Sequence, residues 1–207
     1  MGLYDRAEVS FARQRLGLGT TVPGQSIEQD VIGLKLKLAG DAVFDQDRWL
    51  PQIALGLQYK KNLDFDLVPK LLGAKKDSGT DIYLSATKLH LAALAGYNLL
   101  WNATLRATKA NQLGRLGFGG DRNNSYRLRF EGSAAVFITD GLALGLEYRA
   151  KPDNLSVFRE DSFKDLFVAW LPNKRVAVTV AYATGYDCRQ KRSGRALSVA
   201  TGQLLSF

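Results

Sequence analysis

Seven basic residues, Lys35, Lys37, Lys60, Arg106, Arg127, Arg129 and Arg149, share one face of alternating segments with Glu8, Glu131 and Glu147. Such a set supports two kinds of chemistry. Rings of Arg and Lys around a passage favour anionic solutes. The same charges, paired across neighbouring strands, would instead fill and close an interior. Arg129 with Glu131, and Glu147 with Arg149, are spaced for that second use on paired strands. The sequence leaves both open, with these nine residues (Lys35, Lys37, Lys60, Arg106, Arg127, Arg129, Glu131, Glu147 and Arg149) as the expected lining of a polar lumen.

Covalent chemistry finds less support. His90 is the only histidine and lies in "TKLHLAAL", near the turn end of its segment. Apolar residues flank it on both parities, so its face is not fixed, and an interfacial role is expected over that of a general base. No Ser/His/Asp order, HExxH or paired-cysteine spacing occurs, so no catalytic residue, cofactor or metal ligand is expected. The stretch "GRLGFGGD" (114–121) lacks phosphate-loop spacing and reads as a flexible outer loop. "NLDFDLVPKLLGAKK", with Asp64 and Asp66, reads as a surface loop, an inward constriction being the alternative. Cys188 is the single cysteine, which excludes an intramolecular disulfide and leaves an incidental free thiol.

The elements that must position the charges are strands. In "SYRLRFEGSAAVFITDGLALGLEYRAK", Tyr126, Leu128, Phe130, Gly132, Ala134, Val136 and Ile138 alternate with polar or small residues, and Leu142, Leu144, Leu146 and Tyr148 resume the pattern. The same period predicts ten strands, at about 6–16, 26–40, 49–60, 80–91, 98–110, 125–138, 142–151, 163–171, 175–184 and 195–207. Short connections ("LAALAGY", "TDG", "PNK") alternate with long ones (62–79, 111–124, 152–162), so the two kinds fall on opposite ends of one up-and-down sheet. The 207 residues suffice for a single domain, 1–207. The net charge is +8, but Lys and Arg are spread along the chain without a recognition motif, so no nucleic-acid partner is expected. A mean hydropathy of −0.13 averages two unlike faces. No apolar run reaches the 18 or so residues of a membrane-spanning helix.

Alternation alone does not say which face meets water. Three details favour lipid outside and charge inside. The apolar parity carries no Lys or Arg in the strands at 26–40, 49–60, 125–138 and 142–151, where one such charge at mid-bilayer would cost about 2–4 kcal/mol. Tyr59, Tyr126, Tyr148 and Tyr182 stand at the long-loop end and Trp101 nearer the turn end, as in interfacial girdles. Gly33, Ala54, Gly56, Ser133, Ala135, Ala143, Gly145, Ala177 and Ala181 leave room on the polar face for long side chains. A last strand ending in Phe207 resembles the signal that outer-membrane barrels present to their assembly machinery. The expected fold is thus all-β: an antiparallel up-and-down transmembrane β-barrel with about ten strands present. Its expected partners are outer-membrane lipids, lipopolysaccharide and the barrel-assembly machinery. The expected role is passive, a small-solute pore with a basic lumen or a structural barrel. An outer-membrane lipid-modifying enzyme and a soluble barrel for an apolar ligand are the alternatives.

Four phrases carry a family resemblance: "LPQIALGLQYKKNLDFDLVPKLLGAKKDSGTDIYLSATKLH", "NATLRATKANQLG", "LGFGGDRNNSYRLRFEGS" and "LEYRAKPDNLSVFREDSFKDLFVAWLPNKRVAVTVAY". Over about residues 2–183 the chain resembles a proteobacterial family catalogued as a domain of unknown function and regarded as outer-membrane barrels. The resemblance implies an N-terminal export signal and further strands before "GLYDRAEVSF", which makes this chain an incomplete barrel of about 12–16 strands in full. It carries over no catalytic residue. After Ala183 the sequence departs from the pattern with a basic cluster around Cys188.

Overall fold

Period-two alternation gives each segment one apolar and one polar edge, and a sheet is the arrangement that collects each edge on its own surface. The computed structural model describes residues 2–3, 6–17, 26–157, 159–173, 176–184 and 195–203. These form β1 (Gly2–Leu3), β2 (Ala7–Gly17), β3 (Ser26–Ala39), β4 (Gln52–Asn62), β5 (Ser78–Leu94), β6 (Tyr97–Thr108), β7 (Arg127–Thr139), β8 (Leu142–Arg149), β9 (Phe163–Asn173), β10 (Val176–Thr184) and β11 (Arg195–Gln203). Every strand pairs antiparallel with its neighbours in chain order, giving one meandering sheet curled into a half-barrel. The ten expected strands are all present. The one expected at 80–91 is longer, because its hairpin with β6 runs past the start of β4. Cys188 and Phe207 lie outside the described residues.

The two surfaces of this sheet are unlike. On the convex side the register aligns Val9, Leu34, Leu57, Ile82, Ala107 and Leu128 into one row across six strands. Leu36, Leu55, Leu84, Leu105 and Phe130 form the next row. Neither row holds a charge, yet most of these side chains are exposed. Charge begins beyond Phe11, Ile32 and Tyr59 at the long-loop end, where Arg13 is paired to Asp30 at 2.7 Å with Lys61 opposite. On the concave side the small residues have a use. The Tyr83 ring lies over Gly56 and the Phe167 ring over Gly145, space that any side chain at either glycine would occupy.

The long connections close over the concave face at their end. Ile27, Ala74, Leu116 and Leu155 form a small apolar core, packed by Phe65, Val68 and Leu72. This corrects the expectation for 114–121: it is not a flexible outer loop. Leu116 and Phe118 are buried, and Phe118 bridges by backbone to Lys76 and Ala110 while its ring covers Gly79. Gly114, Gly117 and Gly119 take φ of 104°, 73° and 62°, the left-handed backbone that lets this stretch double back inside. The 63–77 segment likewise contributes Phe65, Val68, Leu72 and Ala74 to that core while Leu67 and Leu71 stay exposed.

Candidate functional site: a charge-paired interior

Strands β4 to β7 each place a charged residue on the concave face toward the long-loop end, on diagonal rather than directly opposed positions. Lys60 donates to Asp81 at 2.7 Å. Arg106 donates through Nε and Nη2 to the two oxygens of Glu131, at 2.7 and 3.0 Å, and through Nη1 to Gln58 at 2.8 Å. Its Nη1 also stands 3.8 Å from Asp81, and its guanidinium lies 4.7 Å from the centre of the Tyr83 ring. The bidentate fork fixes both partners in one plane, the geometry in which Arg–carboxylate pairs are strongest. Farther round the sheet Arg149 pairs with Glu147. Asp165 follows on β9, opposite Glu147 in the register.

These groups surround a polar cavity of about 390 Å³. Loop residues complete it. Arg115 reaches Gln14 at 3.4 Å, the Gln29 amide donates to the Leu113 carbonyl at 3.4 Å, and Leu113 itself lines the wall. Arg129 Nε, Arg115 Nε, Gln29 Oε1 and Asp165 Oδ1 are buried without a protein partner, which suits a wetted space.

Of the residues singled out from sequence, Lys60, Arg106, Glu131, Glu147 and Arg149 line this one cavity. Arg129 is half-buried beside it, opposite Arg106. Arg127 is exposed at the long-loop end. Lys35 and Lys37 lie on the same face toward the turns, Lys35 opposite Glu8 and Lys37 paired with Asp41 at 2.9 Å. His90 stands on the convex parity, where its Nε2 accepts from the Trp101 indole at 3.1 Å. Asp81, Asp165, Gln29, Gln58 and Arg115 were missed. The first two carried a signal, since Asp81 alternates with Ile82 and Leu84, and Asp165 with Leu166. Counting them corrects the basic balance of seven against three. Around the cavity Lys60, Arg106, Arg115 and Arg149 meet Glu131, Glu147 and Asp165, with Asp81 held against Lys60.

Above the cavity the loops build a second buried cluster. Glu160 accepts from the Gln112 backbone N–H at 2.8 Å, and the Gln112 side chain accepts from Lys151 at 2.9 Å. Burial pushes the Glu160 carboxyl up to about 7, an effect that the Gln112 N–H and Lys151 only partly offset. Asn111 and Asn154 lock the same region through a 2.9 Å bond.

The chain belongs to a family described as protein of unknown function (DUF3034). The match covers residues 1–198, so it continues past Ala183, where the resemblance was expected to end. Comparison with curated proteins and with solved structures gives no match. The match to DUF3034 thus takes in β1 to β10 and β11 as far as Ser198, and supplies no chemistry of its own. Among the described residues no three His, Cys, Asp or Glu side chains gather as a metal site. What the arrangement offers is a paired, desolvated charge network able to hold strands together and to hydrogen-bond a small polar solute or water.

Proposed function

We propose that this chain forms the wall of an outer-membrane β-barrel with a passive role, its interior closed to free ion flow by its own ion pairs and loops. The observation that carries this reading is the reversal of faces: charge is buried against the concave side, while rows of uncharged apolar side chains are exposed across six strands. Contiguous apolar surface of that extent marks a membrane or partner site. A polar-inside, apolar-outside barrel in a bilayer gives it a solvent. The dimensions agree. From Leu128 to Ile138 on β7 there are ten steps of about 3.3 Å, which at a tilt of about 40° span about 25 Å, the height of the apolar band in such barrels.

The near balance of charge at the cavity, four lining bases against three lining acids with Asp81 paired to Lys60, favours closure over an anion-selective passage. The Arg106–Glu131 fork and the buried 111–118 segment stand on the concave side, and both support closure. Two experiments test the proposal. Extraction from membranes only with detergent, with heat-modifiable migration on gels, is the expected behaviour; a monodisperse protein in plain buffer would overturn the membrane assignment. Planar-bilayer recording is expected to give no steady anion-selective current, and such a current would overturn closure.

A further inference from the structure

The connection 40–51 is the longest on the turn side, and it does not hang free. Lys88 on β5 stands opposite Trp101 on the convex parity, two outward positions beyond Leu84 in the apolar rows. An ammonium there would face lipid, which near mid-bilayer costs about 2–4 kcal/mol. Instead its side chain is almost wholly covered, at 1% exposure. Its ammonium donates to the carbonyls of Asp41 and Leu50, both at 3.3 Å, and of Asp45. Three donors meet three acceptors. The segment is tied down twice more: the Leu89 N–H donates to Ala42 at 2.8 Å, and the Gln46 amide to the Leu89 carbonyl at 3.1 Å. Asp41 closes its first turn, accepting from the N–H groups of Val43 and Phe44 at 2.9 Å and from Lys37. Those donors hold its carboxyl well below the usual carboxylate range.

This clamp turns the segment's largest apolar groups outward. Phe44 is 91% exposed and Trp49 90%, with Val43, Leu50 and Leu38 exposed around them and Arg48 at their flank. Trp49 lies 6.2 Å from His90, which in turn holds the Trp101 indole. A rigid, hydrogen-bonded loop that displays two aromatic rings at the edge of an apolar band matches the headgroup layer, where Trp is favoured and a flanking Arg reaches phosphate. We propose that residues 40–51 are a strap, clamped by Lys88, that anchors the turn-side rim of the sheet in the lipid headgroup layer through Phe44 and Trp49. This rests on the membrane reading above, and the strap's continuity with Leu38 and the outer rows argues for lipid over a protein partner.

The three tryptophans are Trp49, Trp101 and Trp170, which permits a clean test. The chain is refolded into phosphatidylcholine vesicles with bromine placed near the headgroups or near the chain ends. Two variants are compared, Trp101→Phe/Trp170→Phe, which keeps only Trp49, and Trp49→Phe/Trp101→Phe, which keeps only Trp170. Trp49 fluorescence is expected to be quenched at least about twofold more by the shallow bromine than by the deep one. Adding Lys88→Met to the first variant is expected to weaken that shallow quenching and move the emission to the red; unchanged emission and quenching would remove Lys88 from its role as clamp. The quenching comparison does not depend on that variant folding. If Trp170 is quenched by lipid while Trp49 is reached only by aqueous acrylamide, the strap faces water and the anchor is wrong although the membrane reading stands. If Trp49 is reached by neither quencher, protein covers it, and the anchor is again wrong. If lipid quenches neither tryptophan, the membrane reading fails as well.

Discussion

Replacing Arg106 with methionine keeps most of the side-chain volume and removes the charge that links Glu131, Gln58 and Asp81. Both members of the fork are nearly sequestered, with side chains 11% and 12% exposed. Removing one partner of such a pair leaves the other buried and uncompensated, which costs about 3–5 kcal/mol. Here Glu131 loses both its bonds and Gln58 loses a donor, while Asp81 keeps Lys60. The double variant Arg106→Met/Glu131→Gln removes both charges and so avoids the stranded carboxylate. It is expected to recover all but about 1–2 kcal/mol, because a buried pair replaced as a unit is often close to neutral. The assay is urea unfolding in lipid vesicles followed by tryptophan fluorescence, with the two singles and the double completing a cycle. A coupling energy above about 1.5 kcal/mol is predicted. Costs that add within about 0.5 kcal/mol would refute the reasoning, because they would mean that each charge is solvated by water filling an open lumen.

Two further outcomes follow from the same geometry. Glu160 binds its proton more tightly in the folded loops than in the unfolded chain, since its carboxyl is raised from 4.5 to about 7. The contribution of Glu160 to the stability of the loop cluster is therefore fully present below about pH 4.5, and on the order of 3 kcal/mol of it is lost as the pH rises to 7, after which it levels off. The protection factor of the Gln112 amide, its exchange rate divided into the base-catalysed intrinsic rate, should fall across that window, and Glu160→Gln should flatten that fall; a wild-type protection factor that does not change with pH would contradict it. Gly145→Val places a Cβ against the Phe167 ring and 2.7 Å from the Ala134 carbonyl, so a loss of about 1–3 kcal/mol in the same unfolding assay is expected. An unchanged midpoint would show that Phe167 does not lie over the strand.

The strands were legible because each must keep one face apolar. That constraint writes a period of two that Ile32–Leu38 or Leu142–Tyr148 display without help from distant contacts. Pairing order followed from connection length. The interior was legible only in part. Parity identified Lys60 and Arg106, but their partners on β5 and β7 depend on alignment between strands, so Asp81 went unnoticed although it alternates with Ile82 and Leu84. Loop burial was not legible at all. Leu113, Leu116 and Phe118 sit among glycines, and glycine serves equally in a mobile loop and in one that doubles back into a cavity. The covering of Lys88 was hidden for a related reason: its cage is made of backbone carbonyls, which no side-chain pattern announces.

The account turns on which face of the sheet meets lipid, and β7 asks that most directly. With Cys188 replaced by serine, single cysteines at each position from Leu128 to Ile138 carry a nitroxide, and the protein is placed in vesicles. Labels at Leu128, Phe130, Ala134, Val136 and Ile138 should be relaxed by oxygen and shielded from a water-soluble nickel chelate, while those at Arg129, Glu131, Ser133 and Ala135 should lack that preference for oxygen. An oxygen signal of period two along this strand is the predicted result. Nickel access at the leucine, phenylalanine and valine positions, or no alternation at all, would contradict the account.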